Sequence, residues 1–266
     1  MMWFPLLLCL VPGLVVVWWF RGRSIPPRPW WAVAVVFAAG FWGWWGWSDW
    51  LWRHIAKFRA VVLGIDRETH PYLSCLLEAF FEAAVPEDAF RLLVLLLVCA
   101  VPWLIRGPVD GIAFGAIHGA GQAISELWSE LPEGAFALVA QNPFWEGFAI
   151  ARKLLVLTAL GVVMGYYLGM WRQQHAKGPR FLAAAFLVPV VLHGLYDWGG
   201  HAGELAEPFF QAEEEPPWQV IALYPGLYLV TLVATIAWAV RGILKARRLE
   251  TTDSLAVSTN SIETGR

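Results

Sequence analysis

The sequence predicts an all-α fold: a polytopic membrane helix bundle of about seven transmembrane helices with one further interfacial or re-entrant helix. Three observations lead there. Of the 266 residues, 58% are hydrophobic and only 15% charged, with a mean hydropathy of +0.54, far above ordinary globular usage. Several apolar runs reach the roughly 20 residues that cross a bilayer. Basic residues gather at the ends of alternate runs, as cytoplasmic loops do. The 18 tryptophans are many for any class, and interfacial belts account for some of them. A net charge of −2 gives no reason to invoke nucleic acid. Cys9, Cys75 and Cys99 show neither CxxC nor metal-ligand spacing, so no disulfide framework is expected.

The first span covers residues 3–20. No basic residue precedes it, while Arg21, Arg23 and Arg28 follow, so it reads as a signal anchor with the N-terminus outside. Span two, 30–51, sets glycines among tryptophans, which lets helices approach closely. A polar connection, 52–70, carries both signs of charge. The stretch 72–85 is too short to cross and is expected to lie at the interface or re-enter, with Glu78 and Glu82 on a wet face. Span three, 86–105, opens on Pro86, whose fixed φ suits a first helical turn.

Span four, 109–128, is rich in glycine and alanine, and carries His118, Gln122 and Glu126 at intervals of four, one polar stripe on an apolar helix. Residues 129–146 read as a loop with the turn signal Asn142-Pro143. Span five, 147–171, is followed by Arg172, Lys177 and Arg180. Span six, 181–199, contains H-G-L-Y-D-W. An acidic loop with Glu204, Glu207 and the run from Glu213 to Glu215 precedes span seven, 218–240, which ends at Arg241, Lys245, Arg247 and Arg248. The tail is polar and aperiodic and is expected to be disordered. The chain thus divides into 1–71, 72–200, 201–248 and a cytoplasmic tail 249–266. The expected protein is integral to the cell (inner) membrane, N-terminus out and C-terminus in the cytoplasm.

Ionisable groups inside such spans are costly and are read as functional. Glu87, Asp88 and Arg91 lie in the outer part of span three, Glu126 near the outer end of span four, and His193 and Asp197 in the last turns of span six. Three distant segments therefore deliver acids, a histidine and an arginine to a similar depth. Glu87 and Arg91 share a face, as do His193 and Asp197, where the acid could orient the imidazole. Arg152, at the outer start of span five, is a further candidate. The chemistry such a group suits is hydrolysis. A carboxylate enclosed by apolar walls holds a proton more tightly and can take one from water, and a histidine or arginine can stabilise an oxyanion. Metal-assisted hydrolysis, with zinc or another divalent ion on Glu87, Glu126 and His193, would use the same residue types.

These motifs resemble the PrsW family of intramembrane proteases, within the wider superfamily of CAAX- and bacteriocin-processing membrane proteases. That family shows E-E-x-x-K, then D-G-x-x-Y-G leading to F-x-x-x-E, a helix with H-A and G-Y-x-L-G, and H-G-x-Y-D. The counterparts here are Glu87 to Arg91, Asp110 to Gly115 with Gln122 and Glu126, Gly165 to Gly169, and His193 to Asp197, within residues 72–200. The order of the motifs and H-G-L-Y-D are the specific signals. Departures include Asp88 for the second glutamate, Arg91 for lysine, Gln122 for phenylalanine, and Leu157 for a histidine. If that histidine is a ligand or proton carrier, its candidate replacement is His118, two turns before Glu126. The resemblance implies an endopeptidase that clips a single-span membrane protein, often an anti-sigma factor, near the extracytoplasmic face. On that reading Glu87, Asp88, Glu126 and His193 are catalytic, supported by Arg91, Gln122, Asp197 and His118. The competing readings are an inactive scaffold of the same fold and a small transporter. Against the latter, the halves show none of the internal repeat usual in transporters.

Overall fold

The computed structural model describes residues 3–22, 28–43, 46–47, 49–130, 143–174, 178–205, 218 and 226–264. Among these every regular element is helical. In chain order they are α1 (Trp3–Arg21), α2 (Trp30–Gly43), α3 (Asp49–Val62), α4 (Pro71–Leu77), a π-helical segment (Glu78–Ala84), α5 (Val85–Cys99), α6 (Pro108–Glu130), α7 (Pro143–Gln173), α8 (Gly178–Glu204) and α9 (Tyr228–Thr264). The expected loop at 129–146 and the acidic loop after α8 lie largely outside the described residues.

The bundle is built around α6, which is buried along almost its whole length. Its glycines explain how neighbours come so close. A Cβ on Gly115 or Gly111 would collide with the backbone carbonyl of Gly161 or Gly165 on α7, and one on Gly121 with that of Phe37 on α2. Without side chains at these points the backbones pack directly, the arrangement that drives association where lipid removes the hydrophobic force. Phe114, Ile117, Leu160, Met164, Leu95 and Val33 fill the core between these helices.

The outside is inverted relative to a soluble protein. Trp18, Val35, Trp42, Leu97, Leu187, Val191, Val230 and Val233 are large, apolar and exposed on the outer helices, as a hydrocarbon solvent requires. Three helices are long and apolar enough to cross a membrane: Ala151–Gln173, Gly178–His201 and Tyr228–Leu249, with Trp30–Gly43 apolar but shorter. This is an integral membrane helix bundle. The fourth expected crossing, α6, does not meet that measure. For α6 the reason is physical: a helix enclosed by other helices need not be apolar, and it carries Asp110, His118, Gln122 and Glu126.

Two expected boundaries are corrected. The second span was expected to reach residue 51, but α2 stops at Gly43, and the supposed polar connection contains α3. There Leu51, Ile55 and Arg59, spaced by four, turn partly inward, while Trp50, Trp52, Phe58 and Val61 stay exposed. Arg59 pins this amphipathic helix down: its Nε donates to Glu82 at 2.5 Å, its Nη2 stands 2.9 Å from Glu78, and its Nη1 donates to Ser74 at 2.5 Å. Glu78 and Glu82 are thus buried ion-pair partners, not a wet face.

The second correction concerns the expected break at Pro86. The helix runs without interruption from Pro71 to Cys99, on the order of 40 Å at 1.5 Å per residue. A proline inside an α-helix removes one hydrogen bond and crowds the carbonyl four residues back. Here the preceding turns widen to π geometry, so that the Val85 N–H donates to Phe80, five residues back, and Pro86 is absorbed. Glu87 and Asp88 therefore sit in mid-rod, not at the mouth of a span. The third crossing also ends earlier than expected, at Cys99 instead of residue 105. At the other terminus, α9 continues to Thr264 through most of the stretch expected to be disordered. No proline or glycine stands between Gly242 and Gly265 to stop it.

Candidate active site

Five side chains from two neighbouring helices form a chain of buried polar contacts. On α5, Asp88 and Arg91 are three residues apart, fully buried, and form an ion pair. Arg91 also donates from Nη2 to Oε1 of Gln122 on α6, at 2.5 Å. The Gln122 amide then donates from Nε2 to Oε2 of Glu87 and to Oε1 of Glu126, the latter at 3.3 Å. The expected Glu87–Arg91 partnership is replaced: Arg91 is taken by Asp88 and Gln122, which leaves Glu87 facing elsewhere. Gln122 is the bridge. Its amide presents an acceptor to the arginine and a donor to the acids, which a phenylalanine at that position could not do.

Helix α8 supplies the histidine. Nδ1 of His193 lies 3.3 Å from Asp88 Oδ2, and Nε2 lies 3.2 Å from Asp197 Oδ2 and 3.7 Å from Glu87 Oε2. The expected orientation of the imidazole by Asp197 is present, and Asp88 grips the opposite ring nitrogen. Glu87 and His193 are both buried, and they point toward each other. Gly194 allows this approach, because a Cβ there would strike the Phe80 ring of the π segment.

Glu87, His193 and Asp197 open with Glu126 onto one cavity of about 110 Å³, whose wall is completed by Lys153, Val156, Leu157 and Tyr196. That is room for more than one water, each taking about 30 Å³ in the liquid. Lys153 Nζ stands 3.6 Å from Glu126 Oε2. This lysine was not anticipated; its neighbour Arg152 was. One residue of helical rotation separates them: Arg152 points away, over the rings of Tyr228 at 4.8 Å and Tyr196 at 5.9 Å. The signal that could have found Lys153 is its spacing of four from Leu157, which puts both on one face of α7.

His118 is not brought to this cavity. Its ring is buried beside Phe90, with centroids 6.1 Å apart, and neither nitrogen has a hydrogen-bond partner among the described residues. It is a packing histidine in this structure. Leu157, by contrast, does face the cavity, so the leucine stands at the site itself. The residue types around the cavity are those that hold divalent cations, but their arrangement does not fit one as it stands. Among the described residues no three histidine, cysteine or acidic side chains are grouped to hold a metal ion. Both nitrogens of His193 are turned to carboxylates, and Glu126 is shared between Lys153 and Gln122.

The chain is similar to proteins of one known family. Residues 28–239 match the family profile described as "PrsW family intramembrane metalloprotease". Curated relatives named Protease PrsW include that of Geobacillus kaustophilus, 32% identical over 124 residues covering 46% of this chain and 51% of the relative. That of Shouchella clausii is 32% identical over 124 residues, 46% and 53% of the two chains. That of Oceanobacillus iheyensis is 30% identical over 131 residues, 48% and 56%. The chain spans about half the length of the curated relatives it matches. No solved structure matches it.

Proposed function

From the membership of this chain in the PrsW family of intramembrane metalloproteases, we propose that it is an endopeptidase that cleaves a membrane-anchored protein beside the cavity of α5, α6, α7 and α8. The observation that carries this reading is the convergence of Glu87, His193, Asp197 and Glu126 on one enclosed, water-sized space. In the proposed reaction Glu87 takes a proton from a water held in the cavity, and the resulting hydroxide attacks the scissile carbonyl. Lys153 is placed to stabilise the oxyanion that forms. Nε2 of His193, held between Glu87 and Asp197, passes a proton to the departing amine. Asp88 and Arg91 position the imidazole and do not enter the cavity. The substrate class proposed is a single-span membrane protein, an anti-sigma factor being one example, cut near the extracytoplasmic face.

A test is cleavage of a co-expressed single-span reporter tagged at both ends. Glu87→Gln and His193→Ala should each lower cleavage by about 10²–10⁴-fold, the usual worth of a positioned acid or base, with membrane levels unchanged. Normal cleavage in both variants would refute the site. Leu157 supports a second reading, an inactive scaffold, because an aliphatic side chain occupies a wall position at the cavity. On that reading the wild-type chain leaves the reporter intact while still binding it. Restoration of cutting by Leu157→His would then identify the missing group.

A further inference from the structure

At the end of the bundle away from the proposed active site, a second polar cavity of about 200 Å³ opens between α7 and α9, lined by Tyr166, Tyr167, Trp238, Arg241, Gly242 and Lys245. Tyr166 lies thirteen residues beyond Lys153 on the same helix, roughly 20 Å along its axis. We propose that this cavity binds the phosphate headgroup of an anionic membrane lipid.

Four features carry the assignment. Arg241 and Lys245 are four apart on α9 and share a face, so two cations point to one space. Neither forms an ion pair with a carboxylate among the described residues, whereas Arg28, Arg59, Arg67, Arg91 and Arg106 do. The Trp238 indole N–H donates to the Tyr167 hydroxyl at 3.1 Å. That fixes the phenol at the cavity wall, with its own O–H left to donate to an anionic oxygen. Gly242 lines the same space beside Tyr166 and adds no side chain to fill it. Two cations and an oriented hydroxyl around a small concavity match a phosphate with several acceptor oxygens.

The position selects a lipid as the source of that phosphate. Arg241 and Lys245 fall in the last turns of the apolar span Tyr228–Leu249, where a lipid headgroup meets the end of a crossing helix. Trp238 is partly exposed one turn earlier, at the level where indoles sit in the interface. Basic pockets between membrane helices at that depth take phospholipid headgroups.

The test uses full-length protein in nanodiscs, with retention of a fluorescent phosphatidylglycerol compared with that of fluorescent phosphatidylcholine. The proposal expects clear preference for phosphatidylglycerol. It further expects a loss on the order of 30-fold in Arg241→Gln/Lys245→Gln, each charge in contact with the bound headgroup being worth roughly a factor of five. Charge-retaining Arg241→Lys/Lys245→Arg should keep most of the binding, and Arg247→Gln/Arg248→Gln, which removes the same charge outside the cavity, should change it less than about threefold. Equal retention of the two lipids, or equal loss in both Gln pairs, overturns a built site. Displacement of the lipid by submillimolar inorganic phosphate overturns the lipid assignment in favour of the free anion.

Discussion

At the scale of single residues, the most exacting group is not the proposed base but the pair beneath it. Asp88 and Arg91 are both without solvent access and are ion-pair partners. Removing one partner of a buried pair leaves an uncompensated charge, at a cost of about 3–5 kcal/mol. Arg91→Ala should therefore abolish accumulation of folded protein, whereas Glu87→Gln should not; size-exclusion profiles in detergent separate the two. Arg91→Lys should also fall short. An ammonium cannot match the planar fork that reaches Asp88 and Gln122 together. The sequence made Glu87, Asp88, Glu126, His193 and Asp197 legible because ionisable groups in apolar helices are few. Beyond the His193–Asp197 pair, it did not make their pairing legible. Spacing of four joined Glu87 to Arg91 on paper, but spacing of three joins Asp88 to Arg91 in space, and only the facing Gln122 decides between them.

At the scale of elements, α6 was readable and the rod from Pro71 to Cys99 was not. Glycines at intervals of four on α6 announce a face that other backbones touch, and Gly115 against Gly161 is that contact. Because the obstructing atom is a backbone carbonyl, neither helix can yield locally. Gly161→Ala should lower stability by about 1–3 kcal/mol, the range for overpacking, read as a fall in thermal midpoint. Gly200→Ala, where an added Cβ meets nothing within 4 Å, should leave the midpoint unchanged or slightly raised. The continuity of the rod escaped the sequence because Pro86 and the preceding glutamates both suggest a boundary. Their resolution is tertiary: the π turns accommodate the proline, and Arg59 neutralises Glu78 and Glu82 from α3. Arg59→Ala should release α3, seen as faster amide exchange over residues 49–62, with a cost of about 3 kcal/mol as buried Glu82 loses its counter-charge while Glu78 keeps Arg67.

At the scale of the whole molecule, several basic residues from distant segments gather at one end of the bundle. Arg28 donates to Asp110 at 3.0 Å and Arg106 stands 3.3 Å from the same acid, so the segment after α1 and the turn before α6 meet at one end. Since α6, α7 and α8 follow one another as long helices, Arg172 near the end of α7 shares that end, and the Arg241–Arg248 cluster lies beside Tyr166 and Tyr167 near it. The cavity with Glu87 and His193 lies toward the other end, near the close of α6, the start of α7 and the close of α8. The proposed orientation puts that basic end in the cytoplasm, which turns the cavity outward and leaves the N-terminus outside. The decisive measurement places one cysteine at each end, Ser129→Cys after Glu126 and Gln174→Cys after Arg172, in a background with Cys9, Cys75 and Cys99 replaced. On intact cells a membrane-impermeant maleimide should label Ser129→Cys and spare Gln174→Cys until the membrane is opened. The reverse pattern would put the cavity on the cytoplasmic side, and an extracytoplasmic cut would then be impossible for this arrangement of helices.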